Sequence, residues 1–275
     1  MSVLYIVPTP IGNLNDMVPR AVTTLQHVDI IAAEDTRHSA YLFKHFNITA
    51  PAQAYHEHNE AQMTPQLIDK LKQGLSVALI SDAGTPLVSD PGYKLVRAAH
   101  DASIKVVPIP GAVAAMAALS ASGLPSDSFS FEGFLPQKSS RRVAALESLK
   151  AETRTLIFYE STHRITDMVS DLAEVFGANR DACVCREISK QYETIKKAPL
   201  AELLEWMSED TDQQRGEFVV LVAGASKQSD NIEIDPFQLV EKLAAVLPPN
   251  KAAAFVADIS DQSKRTLYQF LMDQK

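Results

Sequence analysis

The chain has 275 residues, 46% of them hydrophobic and 22% charged, with a net charge of -8. That balance suits two modest domains with packed cores and excludes a disordered chain. It also excludes a uniformly basic nucleic-acid binder, so a polyanion site has to be a local patch on an acidic body.

The elements alternate. Residues 3–7 read as a buried strand, followed by the turn-rich Pro8-Thr-Pro-Ile-Gly-Asn13. A helix is predicted from Pro19, where the missing amide costs nothing, to about His27. Residues 29–33 form the next strand and end at Glu34-Asp35-Thr36-Arg37. A second helix, a short strand at 50–54 and a third helix starting at Pro65 follow. The apolar run 76–80 opens into Ser81-Asp-Ala-Gly-Thr-Pro86, then a helix from about Pro91, a strand at 104–107, and Pro108-Ile-Pro-Gly111 before an Ala-rich helix. Strands alternating with helices predict βαβ units and a mostly parallel sheet.

A boundary is predicted at residues 121–126, giving an α/β domain over 1–121 and a second over 122–226. The second has strands at 129–131, 155–159, 182–188 and 217–223 and helices at 142–150 and 165–176, which predicts a mixed sheet. A small helical extension, residues 230–275, carries helices at 236–246, 251–258 and 265–272. No apolar run is long enough to cross a bilayer and residues 1–7 lead straight into a strand, so neither signal peptide nor anchor is expected and the location should be cytoplasmic. The two cysteines, Cys183 and Cys185, share one face of a strand and read as small core hydrophobes; alone they do not make a structural zinc site.

Open parallel sheets bind ligands at the carboxyl ends of their strands. Three such ends here, at 8–13, 81–92 and 108–112, are rich in Gly, Pro and small residues. Each alone is adequately explained as a tight turn; three that converge favour a pocket. The dinucleotide and phosphate-loop glycine fingerprints are absent, so the pocket suits an adenosine-type ligand without a long phosphate tail.

Nine segments in order over residues 4–223 carry a resemblance. They are Pro8-Thr-Pro-Ile-Gly-Asn-Leu14, Ala33-Glu-Asp-Thr-Arg37, Tyr55-His-Glu-His-Asn-Glu60, Ser81-Asp-Ala-Gly-Thr-Pro86, Asp90-Pro-Gly92, Phe131-Glu-Gly-Phe-Leu-Pro136, Phe158-Tyr-Glu-Ser-Thr-His-Arg164, Arg186-Glu-Ile-Ser-Lys190 and Arg215-Gly-Glu-Phe218. Together they resemble the two-domain tetrapyrrole-methylase fold and, within it, the bacterial small-subunit ribosomal RNA cytidine 2′-O-methyltransferase family. The chain departs from the family where Gly111 is followed by Ala112-Val113 instead of Pro-Ser or Pro-Cys. The resemblance implies S-adenosylmethionine held between the two domains by Pro8, Asp82, Ala83, Gly84, Thr85, Gly111, Ala112, Val113, Tyr159, Glu160 and Ser161. It implies 16S ribosomal RNA in the 30S subunit as substrate and a homodimer; methyl transfer from a sulfonium needs no metal, and no membrane partner is expected.

Methyl transfer to a ribose hydroxyl needs alignment and a proton acceptor. Glu34, Asp35 and Arg37 sit just past the second strand, where a carboxylate takes the proton and Arg37 orients it or grips a phosphate. The alternative is an ion pair with a helix cap from Asp35 or Thr36. His56 and Glu57, in His56-Glu-His-Asn-Glu60, are a second candidate source of the base, with a solvated polar loop as the alternative. For RNA, Lys138, Arg141 and Arg142 share a loop leading into a helix; five cations oppose two acids over residues 134–154, and Phe134 is placed to stack on a base. Arg164 and Arg186 extend this patch. Methylation of a porphyrin-like ring, a non-catalytic RNA-binding assembly protein and a nucleotide-dependent oxidoreductase are the competing readings; the missing fingerprint disfavours the last.

Overall fold

The computed structural model describes residues 2–226 and 235–273, in two compact units, Met1–Ala225 and Ser226–Lys275. The first sheet comprises β1 (Val3–Ile6), β2 (Ile30–Ala33), β3 (Ala52–Ala54), β4 (Val77–Ile80) and β5 (Lys105–Pro108), all parallel, in the order β3-β2-β4-β1-β5. The helices that follow these strands are α1 (Pro19–His27), α2 (Thr36–His45), α3 (Glu60–Lys72), α4 (Tyr93–Asp101) and α5 (Ala114–Ser122). Helices cover both faces, so the inner strands are continuous apolar runs. Leu4 and Leu79 pack with Leu67, Leu71 and Leu95 on one side. Ile31 and Ile80 pack with Ala21, Leu25 and Leu42 on the other. Each fully buried leucine or isoleucine contributes about 1.5–3 kcal/mol before entropy is subtracted.

The second sheet comprises β6 (Phe129–Phe134), β7 (Thr155–Ser161), β8 (Asp181–Arg186), β9 (Thr194–Pro199) and β10 (Glu217–Val222), in the order β6-β7-β10-β8-β9. Only β6 and β7 pair in parallel. One face is covered by α6 (Ser139–Leu149), α7 (Ile165–Phe176) and α8 (Leu200–Glu209). The other face takes α5: Ala115, Ala118 and Leu119 pack on Ile157, Cys183, Cys185, Val219 and Leu221. The small side chains of α5 let it lie close to this sheet, so the helix that follows the first sheet is a core element of the second.

Two expectations are corrected here. The third helix begins at Glu60, five residues before Pro65, which sits inside it. The extra turn survives the lost proline hydrogen bond because Glu60 is buried and accepts from Tyr55 Oη at 3.2 Å and from the Gly92 amide at 3.1 Å. The stretch after β8 contains a strand and a helix that were not predicted. In α8, Leu200, Leu203 and Met207 are buried, a helical spacing that was readable; β9 carries Lys196 and Lys197, as a sheet edge does.

The smaller unit holds α9 (Pro236–Ala244), α10 (Pro249–Asp258) and α11 (Lys264–Asp273) around Val240, Ala252, Ala253, Val256, Leu267 and Leu271. Its expected start near Asp230 lies outside the described residues. No helix among the described residues is long and apolar enough to cross a membrane.

The turn between β5 and α5 is pressed against the turn after β1: a Cβ on Gly111 would lie 2.2 Å from Pro8 Cγ. A proline ring cannot swing away. Gly111→Ala is therefore expected to cost about 1–3 kcal/mol, as over-packing does, and to lower Tm by about 3–10 °C in a scanning calorimeter.

Candidate active site

The loops at the carboxyl ends of β1, β4 and β5 are fastened to one another. Thr9 and Gly84 exchange backbone hydrogen bonds of 2.8 and 3.0 Å as an isolated antiparallel bridge. The Thr9 hydroxyl donates to the Ser81 carbonyl at 3.1 Å, and the Thr85 hydroxyl to the Ala112 carbonyl at 2.9 Å. Gly84, at φ +84°, takes a backbone conformation that an L side chain would strain. These links place three small-residue loops along one wall of a cavity of about 420 Å³.

Asp82, Ala83, Gly84, Thr85 and Val113 line that wall. Tyr159, Glu160 and Ser161 line the opposite one, from the second sheet. Tyr159 Oη accepts the Ala115 amide at 3.1 Å, tying β7 to the start of α5, and its ring meets Phe131 and Phe134 edge-on. Pro8, Gly111 and Ala112 do not line the cavity; they support the wall from behind, through the Pro8–Gly111 contact and the Thr85 bond.

Five acidic residues line the cavity and no lysine or arginine does among the described residues. Glu160 and Glu217 are paired with Arg164 and Lys190, which leaves Glu34, Asp82 and Asp90 as the carboxylates without an ion pair there. Glu34 Oε2 accepts the Asp82 amide at 3.2 Å, while Asp82 Oδ1 accepts the Asp35 amide at 3.1 Å, so each loop holds the other's acid. Burial raises the Glu34 carboxyl above its ordinary value; the Asp82 amide opposes this, and the Asp82 and Glu57 charges reinforce it. Burial pushes Asp90 up to about 6, against the Ser81 hydroxyl and with help from Glu34 and Asp82.

The other expected catalytic residues lie around this cluster. Asp35 caps α2, accepting the Arg37 amide at 2.8 Å, and pairs with the Arg37 guanidinium at 2.9 Å. That guanidinium holds the Asp35 carboxyl well below the usual carboxylate range, which makes it a poor base. Arg37 itself is 91% exposed. His56 is half-buried with Nδ1 unpartnered, whereas Glu57 is exposed and lies 3.4 Å from His58. Among the described residues no group of three or more His, Cys, Asp or Glu is arranged to hold a metal ion.

The expected basic patch is smaller than the sequence suggests. Arg142 is 3% exposed and bonded to Asp171 at 2.6 Å, because it lies on the inner side of α6, not in the preceding loop. Arg186 is buried and donates to the Arg215 and Tyr192 carbonyls. Arg164 pairs with buried Glu160 at 3.0 Å and donates to the Leu135 carbonyl at 2.7 Å. Arg142 joins α6 to α7, Arg164 joins the end of β6 to β7, and Arg186 joins β8 to the segments before β9 and β10, so all three have structural partners. Lys150 and Arg154 are paired with Glu147 and Glu152. Lys138 and Arg141 remain exposed at the start of α6, without an ion pair among the described residues.

Several cavity residues were not expected as site residues, among them Val88, Asp90 and Ile188. Val88 stands between Leu87 and Ser89, at φ 73° and 68°; Ile188 stands between Glu187 and Ser189, at φ 50° and 70°. Left-handed residues on both sides turn each apolar side chain into the cavity. Such φ values at non-glycine positions leave no sequence signal.

Comparison with known proteins agrees with this architecture. Residues 3–204 match the family described as Tetrapyrrole (Corrin/Porphyrin) Methylases, and residues 231–275 match the RsmI C-terminal HTH domain. The chain is 51% identical over 272 residues to the ribosomal RNA small subunit methyltransferase I of Escherichia coli O157:H7, covering 99% of this chain and 95% of that one. It is 52% identical to the Pseudomonas aeruginosa protein of the same name, covering 97% and 95%. Among solved structures, diphthine synthase aligns with a TM-score of 0.61 at 16% identity, covering 81% of this chain and 90% of that one. A uroporphyrin-III C-methyl transferase from Thermus thermophilus, complexed with S-adenyl homocysteine, aligns at 0.54 and 17%, covering 81% and 97%. These last two speak for the fold alone. The fold, the three fastened loops and near-full-length relatives of about half identity make this chain a member of the tetrapyrrole methylase family, in its ribosomal RNA small subunit methyltransferase I branch.

Proposed function

We propose that this chain transfers a methyl group from S-adenosylmethionine to the ribose 2′-hydroxyl of a cytidine in 16S ribosomal RNA, in the assembled small subunit. The observation that carries the reading is the cavity: small-walled, anionic through Glu34, Asp82 and Asp90, and without a cationic side chain in its lining among the described residues. One charge roughly 4 Å from another is worth about 4 kcal/mol at an effective dielectric of 20. Such a pocket repels a nucleoside phosphate and favours an adenosine-type cation. Bound there, S-adenosylmethionine supplies a methyl on a positively charged sulfur. Ala83, Gly84 and Val113 give it close walls, with Tyr159 and Ser161 opposite.

The names of the relatives support ribosomal RNA as the acceptor. A neutral hydroxyl is a weak nucleophile, so its proton needs an acceptor in the cleft. Glu34 fits: it lines the cavity, it is held by the Asp82 amide, and burial raises its proton affinity. Asp35 and Arg37 form an ion pair next to Glu34 in sequence, with the Arg37 side chain 91% exposed and open to a phosphate. Lys138 and Arg141 add cationic charge at the start of α6. A homodimer in the cytoplasm belongs to the same reading.

The direct test is transfer of tritium from labelled S-adenosylmethionine to small subunits, followed by nuclease mapping of the RNA. Label is expected in a cytidine ribose; no label in any RNA form overturns the proposal. Glu34→Gln should lower kcat by about 10²–10⁴-fold with donor affinity nearly unchanged, and wild-type kcat should rise with pH through a group above the ordinary glutamate value.

Asp90 links pH to stability. Its folded value of about 6 exceeds the ordinary 3.8, so the folded state binds the proton more tightly. The stability this gives is present below about pH 4 and is lost as pH rises through 6. Asp90→Asn should accordingly raise Tm at pH 7.5, with the gain over wild type vanishing at pH 4.

A further inference from the structure

One exposed aromatic ring, outside the cavity lining but close in sequence to it, has no place in the mechanism above. Tyr93, the first residue of α4, is 66% exposed, three residues beyond Asp90, which lines the cavity. Its backbone is held firmly. The preceding Gly92 donates its amide to the buried Glu60 carboxylate at 3.1 Å, and a Cβ on Gly92 would lie 2.6 Å from Leu79. Glu60 is fixed in turn by Tyr55 Oη and by Lys94 at 3.1 Å. Burial alone would raise the Glu60 carboxyl, but Lys94 and the Gly92 amide outweigh it and keep it below its ordinary value. The result is a large flat side chain on a fixed mount, projecting into solvent.

The neighbouring groups point to one kind of occupant. Leu95 and Ala99 are the buried side of α4, while Arg97 is exposed one turn after Tyr93, on the same stripe, and forms no ion pair among the described residues. The first turn of α4 contains no acid and carries Lys94. A second exposed ring, Phe134, lines the cavity and is 56% exposed. The segment leading to α4 approaches β6 beside Phe134, where Ser89 Oγ stands 3.3 Å from the Cβ position of Gly133. Exposed rings with cations one helical turn away are what a splayed single strand needs: π-faces for its bases and positive charge for its phosphates.

We propose that Tyr93 and Arg97 hold the nucleotide adjacent to the one that is methylated, Tyr93 stacking on its base and Arg97 contacting its phosphate. The proposal rests on the RNA reading above and adds to it the surface that grips the strand outside the cavity. Tyr93 acts on substrate binding and takes no part in proton transfer.

The test uses the full chain with small subunits as acceptor and S-adenosylmethionine as donor. Tyr93→Ala should raise KM for the subunit about tenfold, the cost of one lost stacking contact, with Tyr93→Phe close to wild type. Arg97→Gln should weaken subunit binding and reduce its salt dependence by about one phosphate contact. In all three variants Tm and the calorimetric affinity for S-adenosylmethionine should match wild type, because both side chains face solvent. A wild-type KM in Tyr93→Ala, or an equal loss in Tyr93→Phe, overturns the stacking role while leaving the methyl-transfer reading intact. Wild-type protein that methylates no RNA overturns both.

Discussion

A parallel sheet ends, on its carboxyl side, in loops that no neighbouring strand supports. Here the support comes from the loops themselves. The Thr9–Gly84 bridge, the Thr85–Ala112 bond and the Pro8–Gly111 contact join the ends of β1, β4 and β5 into one wall. Asp82, Ala83, Gly84 and Val113 are mounted on this wall, and Tyr159 and Ser161 face it from β7. Without those links the same residues would be three mobile turns, and neither the cavity nor its charge would have a defined shape.

The charge of that cavity is costly to build. Three carboxylates without an ion pair, Glu34, Asp82 and Asp90, share a partly buried space with no cationic side chain in its lining among the described residues. Burial, reinforced by their mutual repulsion, makes both Glu34 and Asp90 bind protons more tightly. A fold that served only stability would have paired or removed them. Held where a cationic ligand is proposed to sit, the cluster stores unfavourable energy that such a ligand relieves. Asp35, one residue from Glu34, shows the contrast: with Arg37 beside it, its proton affinity falls and it is left to cap a helix.

The basic residues follow a different logic. Nothing in the sequence separates Arg142, Arg164 and Arg186 from the exposed Lys138 and Arg141. A guanidinium has a fork of donors that suits a phosphate and suits backbone carbonyls and carboxylates equally well. The fold uses these three arginines to satisfy Asp171, Glu160 and the carbonyls of Leu135, Tyr192 and Arg215. Of the five cations expected in the patch, Lys138 and Arg141 remain exposed.

The alternation of strands and helices, the parallel first sheet and the three small-residue loops were legible in the amino-acid order, because apolar periodicity and Gly–Pro chemistry act over a few residues. So was Glu34 at the end of β2, through its position after an apolar run. The family itself was legible in nine ordered motifs. Only the tertiary structure decided which arginines face solvent, that Asp90 and Ile188 enter the cavity, that α5 belongs to the core of the second sheet, and that Tyr93 stands exposed on a fixed mount. Those outcomes depend on contacts between residues dozens of positions apart, such as Arg142 with Asp171 and Gly92 with Glu60. Burial is a property of the assembled whole: the free energy of a charge or a ring is set by what the rest of the chain places around it, which no local pattern encodes.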